Sequence, residues 1–568
     1  MAKIKPRQAY AKEVLSGFPG ISCTTGAFSK SAADLRNFRV LPDGSLEKRC
    51  GWRVLHSLPD VIRGFWQGTL HGKEFTFAVA ESEVFRLGSD TRVSVGSVSD
   101  AATGIRFFAY RERLYLLDGT SVQVYDPESD SLEGAQGYVP LYGQNWHPSA
   151  MGAVHEDLNL LSDRLRIHYF NATASTTFQL PFYVSTTDSV RVDGMRTTDY
   201  TVSGKLLQIP SASGASSIEV ALTVSIPDTL RTQLAQTTLA YHAFCKSREQ
   251  LLLYGAPKGN LLFCATQVSE DMLFASRAEY SDSDALYFTR NAVQTLGDED
   301  HPLTTLFSNH DRILVFHREG AYSLALAENG NPIGFYPLLH GVGCTAPNTA
   351  LYQNGDPIVI NAGGIFRLHS AAADRDEFQI TAISPSIPAL QTPSFLQGAL
   401  VCDDPTHGEL WFCDPEDEDG AVWIYQVAQG YWTVFDNINP SLFFHSSAEV
   451  GFASQGRICL FDESLGTDNG TPFLASYRSA YLDLETPEAR KRALRITLCA
   501  ATDGSDVALT VSSEVRSKSF SLRGRIQNAP VFYDLRAALG RFRFLQVQLH
   551  DSGQTRSRFY RLALFANL

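Results

Sequence analysis

One short pattern recurs along this chain and constrains its fold more than any other feature. It is an apolar strand-forming run, a polar or glycine turn, and a second apolar run. It reads EFTFAVAESEVFRL from Glu74, RLYLLDGTSVQVYD from Arg113, QLLLYGAPKGNLLFC from Gln250 and RILVFHREGAYSLAL from Arg312. It continues as PIVINAGGIFRLH from Pro357, ELWFCDPEDEDGAVWIYQV from Glu409 and RICLFDESL from Arg457. The leading apolar residues are Phe75, Leu114, Leu251, Ile313, Ile358, Leu410 and Ile458, separated by 39, 137, 62, 45, 52 and 48 residues. Apart from the second interval, these lie near the ~40–50 residues of a four-stranded propeller blade. Turn formers such as Asp118-Gly119, Gly259-Asn260 and Gly363-Gly364 close the units. A lone strand pair cannot bury both faces, whereas stacked units can.

The expectation is therefore an all-β fold: a β-propeller of about seven blades, with an array of two-sheet sandwiches as its structural competitor. Long amphipathic helices are lacking, and only Thr229–Gln236 has a helical pattern. The 137-residue interval predicts an insertion over 140–238. Its segments STTFQLP (175–181), DSVRVDG (188–194) and DYTVSGKLLQI (199–209) alternate as in a small β-sandwich. Alternation in LRITLCA, ALTVSSEV, SKSFSL, RFLQVQLH and FYRLALF predicts a second, C-terminal Arg-rich β-sandwich over 471–568. The propeller is expected over 61–139 and 239–470, with residues 1–60 leading into it.

At 44% apolar and 19% charged residues, the 568-residue chain can form a large core, which excludes global disorder. Its net charge of -13 is unevenly spread. Residues 1–53 carry 10 basic and 4 acidic side chains (+6), residues 473–568 carry 15 and 8 (+7), and the middle therefore carries -26. Such a body argues against a general nucleic-acid coat and leaves two basic ends to meet acidic partners. No signal-peptide core and no apolar run of about 18 residues stands in the sequence, so neither export nor a membrane anchor is expected. The nine cysteines are scattered and never spaced C-x-x-C, which predicts reduced thiols and neither a disulfide framework nor a zinc site.

Candidate chemistry is sparse. The acidic loop Asp414–Gly420 has proline where a D-x-D-x-D-G calcium frame needs its first acid, and it reads as a solvated hairpin tip. Asp298-Glu299-Asp300-His301 reads the same way. G-x-S-x-G, H-E-x-x-H and P-loop motifs are absent, as is the S-x-D-x-G-x-T-W box. Arg490, Lys491, Arg492 and Arg495 are candidates for gripping phosphate, against the plainer reading of sandwich surface charge. Trp411, Trp423 and Trp432 are candidates for a sugar platform, but their strand positions suit packing between blades better. Asn171 fits a glycosylation acceptor that has no meaning without secretion. No catalytic residue, cofactor or metal ligand is assigned.

The stretch DLRNFRVLPDGSLEKRCGWRVL (34–55) resembles the entry motif of tail hub or nozzle proteins of tailed phages, including packaged-DNA stabilisation and tail accessory factors. Its matching positions are Asn37, Arg39, Asp43-Gly44, Lys48, Arg49 and Gly51; Cys50 stands where the family more often has proline. The stretches 286–326 and 343–368 resemble blades of that family, and the insertion resembles a β-sandwich module of phage tail and fibre proteins. The resemblance implies a homo-oligomeric ring, a hexamer in the family's usual form, in the virion tail below portal and adaptor, guiding or retaining packaged DNA. It implies assembly in the host cytoplasm and structural roles for Asn37, Arg39, Gly44, Arg49 and Gly51. The alternatives are a receptor- or glycan-binding tail-tip protein and, third, a propeller glycosidase.

Overall fold

The computed structural model describes residues 10–15, 17–22, 31–89, 91–100, 104–225, 229–245, 248–265, 285–309, 312–327, 332–370, 378–384, 387–446, 449–502, 506–523 and 530–568. Residues 1–9 and Cys23 lie outside them. The chain divides into two compact units, residues 63–348 and residues 1–62 with 349–568.

Residues 63–348 hold four antiparallel four-stranded sheets in chain order. Blade 1 is Ile62–Leu70, Lys73–Ala80, Glu83–Leu87 and Arg92–Ser97. Blade 2 is Arg106–Tyr110, Arg113–Leu117, Val122–Asp126 and Ser131–Gly134. Blade 3 is Leu239–Cys245, Arg248–Tyr254, Asn260–Phe263 and Val293–Thr295. Blade 4 is Leu303–Asn309, Arg312–His317, Gly320–Leu326 and Pro332–His340.

Two-sided burial explains their sequences. Side chains alternate across a strand, and a sheet covered on both faces needs apolar residues at every position. In blade 2, Leu114 and Leu116 pack with Phe77, Val79 and Val84 of blade 1. Their neighbours Tyr115 and Leu117 pack with Leu251 and Leu253 of blade 3. In blade 3, Leu252 and Tyr254 turn the other way, toward Leu306, Ile313 and Val315 of blade 4.

Between blades 2 and 3 lies the inserted sandwich. One sheet orders Leu141–Trp146, Arg164–Phe170, Ser217–Val224, Val184–Val192 and Met195–Thr197; the other orders Thr177–Gln179, Leu206–Gln208 and Thr201–Ser203. Leu165, Ile167, Tyr169, Phe178, Val190, Leu207 and Val220 form its core. The helix Thr229–Ala235 then leads to blade 3.

The other unit holds three further blades. Blade 5 is Leu351–Gln353, Asp356–Asn361, Gly364–Ser370 and Phe378–Ala382. Blade 6 is Leu400–Asp404, Glu409–Cys413, Val422–Gln426 and Tyr431–Phe435. Blade 7 takes Leu442–Ser446, Glu449–Ser454 and Arg457–Asp462, and its fourth strand is Gly51–Ser57 from the other end of the chain. Among the described residues, seven blade sheets of a β-propeller are thus present.

Residues 1–60, expected to lead into the propeller, do more than that. Ala32–Arg36 runs parallel to Tyr431–Phe435 on one side and antiparallel to Ala475–Ser479 on the other, so blade 6 continues into a nine-stranded sheet with Leu545–Asp551, Asp506–Ser513 and Ser517–Arg523. Tyr10–Leu15, Phe38–Val40 and Leu46–Lys48 join Arg558–Asn567, Arg492–Ala501 and Val531–Ala537 in the facing sheet. Phe38, Leu46, Ile496, Leu509, Val547, Leu549 and Leu562 fill the space between the two. The C-terminal sandwich is therefore built from both chain ends, because edge strands need partners and the amino-terminal strands supply them.

Gly51 shows how tightly this closure is made. A Cβ there would lie 1.9 Å from the carbonyl oxygen of Thr467, a backbone atom. Gly51→Ala is expected to cost about 3 kcal/mol or more, at or above the upper end of overpacking penalties, read as a lowered Tm. Gly134→Ala, where a Cβ meets nothing within 4 Å, is the control and should stay within about 0.5 kcal/mol of wild type.

Candidate functional site

Three residues of the entry motif, Asn37, Arg39 and Arg49, converge in a buried network of charges. Asn37 sits where the chain leaves one sheet for the other, in a left-handed conformation (φ 54°) that asparagine tolerates. Its Nδ2 donates to Asp436 and to the carbonyl of Leu474 (2.7 Å), and its Oδ1 accepts from Arg49 Nε (2.9 Å). Arg49 is fully buried. It holds Asp468 through two parallel bonds of 2.8 and 2.7 Å and lies 3.8 Å from the centre of the Phe473 ring.

Arg39 is similarly enclosed. Nε and Nη2 donate to Glu409 at 3.0 and 3.2 Å, Nη1 to Glu463 at 3.2 Å and Nη2 to Asp404 at 3.5 Å. His407 bridges the same carboxylates, with Nδ1 2.7 Å from Asp404 and Nε2 3.3 Å from Glu463. Burial opposes its protonation, but the bonds to Asp404 and Glu463 prevail and lift its pKa to about 9. The bond from His407 is also the main reason Glu463 is held far below the usual carboxylate range. Arg556 completes the set through Glu463 (2.6 Å) and Glu47 (2.9 Å). Burial pushes the Cys50 thiol up to about 11, so it is no nucleophile.

Lys48 donates to the carbonyl of Gly553 (2.6 Å) and stands 3.7 Å from Asp551. Burial lowers the pKa of the amine and raises that of the carboxyl, both toward the uncharged forms. Gly44 stands apart in the turn after Phe38–Val40 at φ 80°, against Gly17. Asp404, His407 and Glu409 have the donor types of a metal site, but the Arg39 guanidinium already occupies their charge. A divalent ion would have to evict it.

The other candidates disperse. Arg490 and Arg492 are exposed, whereas Lys491 is buried and gives its Nζ protons to the carbonyls of Thr486, Ala489 and Arg543. The basic run is therefore not a single phosphate grip: strand alternation sends its middle residue inward. Trp411 and Trp432 are fully buried, donating to Glu409 and to the carbonyl of Ile383, and offer no sugar platform. Asp414 accepts from Thr392 and Ser394 (2.6 Å each), His301 lies between Asp298 and Glu319, and Asn171 is buried.

Sequence reasoning missed a cleft between blades 1 and 2. Its volume is about 710 Å³, and its lining includes Phe75, Tyr125, Lys73, Arg86 and Arg113 together with Glu112, Asp126, Glu128, Asp130 and Glu133. Asp130 is clamped by Arg86 (2.7 and 2.6 Å) and by the Tyr125 hydroxyl (2.7 Å), and the bonds from Arg86 hold its pKa below the ordinary value. Glu112 accepts from the backbone of His71 at 2.7 Å, tying the two blades together. His71, Glu112 and Asp130 all have positive φ, at 48°, 59° and 51°. In Arg111-Glu112 both central turn residues are left-handed, where Asn-Gly is the usual choice.

No family model and no curated protein matches this chain. Among solved structures it is similar to the extracellular domain of a one-component system from B. thetaiotaomicron (9% identity, 87% of this chain and 58% of that one, TM-score 0.37). It is also similar to the WD40 domain of SCAP from fission yeast (8%, 72% and 94%, TM-score 0.32). A third is the exo-β-1,3-galactanase of Phanerochaete chrysosporium (9%, 90% and 99%, TM-score 0.22). The chain spans less than two thirds of the first of these, and all three are too distant to lend it a ligand or an activity.

Two expectations follow from the charge network. Removing one partner of a buried pair strands the other, so Arg49→Met should cost about 3–5 kcal/mol, and Arg49→Met with Asp468→Leu should recover part of it. His407 has a raised folded pKa, so its stabilisation is complete below its unfolded value of about 6.5 and fades as pH rises through about 9. The stability gap between wild type and His407→Gln should therefore shrink by about 3 kcal/mol between those limits, as seen in denaturant midpoints across pH.

Proposed function

We propose that this chain is a non-catalytic recognition protein, a β-propeller scaffold that binds a carbohydrate receptor in the cleft between blades 1 and 2. The cleft carries this reading. Carboxylates and guanidinium groups around the partly exposed Phe75 ring match a ligand made of hydroxyls and C–H faces, in a volume typical of small-molecule sites. Five carboxylates against Lys73, Arg86 and Arg113 disfavour phosphate and favour a neutral or amino sugar. Hydrolysis would need one carboxyl held protonated beside another. The bonds from Arg86 lower the pKa of Asp130, and the bond from Ser129 lowers that of Asp126, so neither suits a general acid.

A second reading, the ring-forming tail hub, is favoured by the outer face of the C-terminal sandwich. There Arg495 lies across from Arg536 and Phe565, and Phe565 across from Lys12. Together with exposed Arg561 these form a basic, part-aromatic strip that complements the acidic middle of a neighbouring copy. In that role the chain would sit in a virion tail below the portal and adaptor, in passing contact with packaged DNA.

A glycan array probed with the full chain tests the first reading. Binding should appear and should weaken at least about tenfold in Glu112→Gln/Glu133→Gln, the scale expected when polar contacts to a ligand are lost. Binding that is absent, or that ignores these changes, overturns it. Rings in negative stain that are lost in Arg495→Glu/Arg536→Glu would support the second.

A further inference from the structure

We propose that Cys402, Asp403 and His445 form a binding site for a first-row transition metal, with Zn²⁺ as the natural occupant. Cys402 and Asp403 stand on the first strand of blade 6 and His445 on the first strand of blade 7. The His445 Nε2 lies 3.5 Å from the sulfur of Cys402 and 3.2 Å from Oδ1 of Asp403, and all three donor atoms fall within 4.8 Å of one another.

The sulfur–nitrogen and nitrogen–oxygen spacings are close to two edges of a tetrahedron around zinc. Bonds of about 2.3 Å to sulfur, 2.0–2.1 Å to nitrogen and 2.0–2.2 Å to oxygen put the S–N edge near 3.5 Å and the N–O edge near 3.3 Å. Without an ion, the Cys402 thiol is held by the carbonyl of Asp403 (3.4 Å) and His445 by the Asp403 carboxylate, and these same three side chains face one another closely enough to share an ion. The mixed sulfur, nitrogen and oxygen donors select zinc or cobalt over calcium and magnesium.

Charge and access agree. Thiolate, carboxylate and neutral imidazole cancel the two charges of the ion, so the filled site is neutral. On binding, the thiol of Cys402 gives its proton to solvent as the sulfur–metal bond forms, Nε2 of His445 gives up the proton it shares with Asp403 and the ring stays neutral with its proton on Nδ1, and no electrons are transferred. Cys402 is buried, while the side chains of Asp403 and His445 are 54% and 40% exposed, leaving a path for entry and a fourth position for water. The neighbouring Asp404, His407 and Glu409 do not compete, because Arg39 pairs with both carboxylates and His407 is engaged with Asp404.

The full chain, stripped with a chelator and titrated with Co²⁺, tests this. Wild type should bind one ion tightly and show the near-ultraviolet band of thiolate-to-cobalt charge transfer. Cys402→Ser should lose that band, and His445→Gln should weaken binding by at least about tenfold, the least expected for a ligand when outer-shell partners alone cost 10–100-fold. His407→Gln should leave both intact. Absence of stoichiometric binding by wild type, or a charge-transfer band that survives Cys402→Ser, overturns the proposal; zinc competing the cobalt away supports it.

Discussion

The strand Gly51–Ser57 must lie beside Arg457–Asp462, and the unit containing it depends on that pairing. Without it blade 7 has three strands and an open edge, and the amino-terminal strands lose their place in the C-terminal sandwich. Closing a loop of this size costs entropy that grows only slowly with length. The ladder therefore faces a question of correct register more than one of raw stability. The buried network sits where that question is decided: Arg49 stands two residues before the strand, and Asp468, 419 residues away, follows the strand it must find.

The blades were legible because burial on both faces erases polar positions. QLLLYG in blade 3 sends Leu251 and Leu253 to one neighbour and Leu252 and Tyr254 to the other, which leaves an unbroken apolar run. The run from Arg457 supplies only the third strand of its blade, Arg457–Asp462, rather than a second and third, because the closing strand comes from residues 51–57. A local pattern cannot carry that information. The sharing of the sandwich between the chain ends was hidden for the same reason: Phe38–Val40 and Leu46–Lys48 are short and read as ordinary hairpin strands until Arg558–Asn567 lies beside them.

Site residues were harder to read, and the difficulty is physical. Arg39, Lys48 and Arg49 are types that usually stay in water, and only their partners, hundreds of residues distant, permit burial. The cleft between blades 1 and 2 had a fainter trace in the sequence. Its turns keep Arg111-Glu112 and Asp130 where glycine or asparagine would relieve the backbone.

The network also shows why a fold would keep charges in a core. A buried ion pair gains little over apolar side chains of equal volume, because desolvation consumes most of the attraction. Its value lies in exclusion. Backbone ladders accept many registers, and a slip by two residues along Gly51–Ser57 would preserve both the hydrogen bonds and the apolar alternation. The same slip would part Arg49 from Asp468 and Asn37, draw Arg39 away from Glu409, and press another side chain onto the carbonyl of Thr467 where only Gly51 fits. Each stranded charge costs several kcal/mol, so wrong registers are penalised far more than the right one is rewarded. In a chain whose first and last strands must meet, that asymmetry is sufficient reason to bury an asparagine, two arginines and their carboxylates in one place.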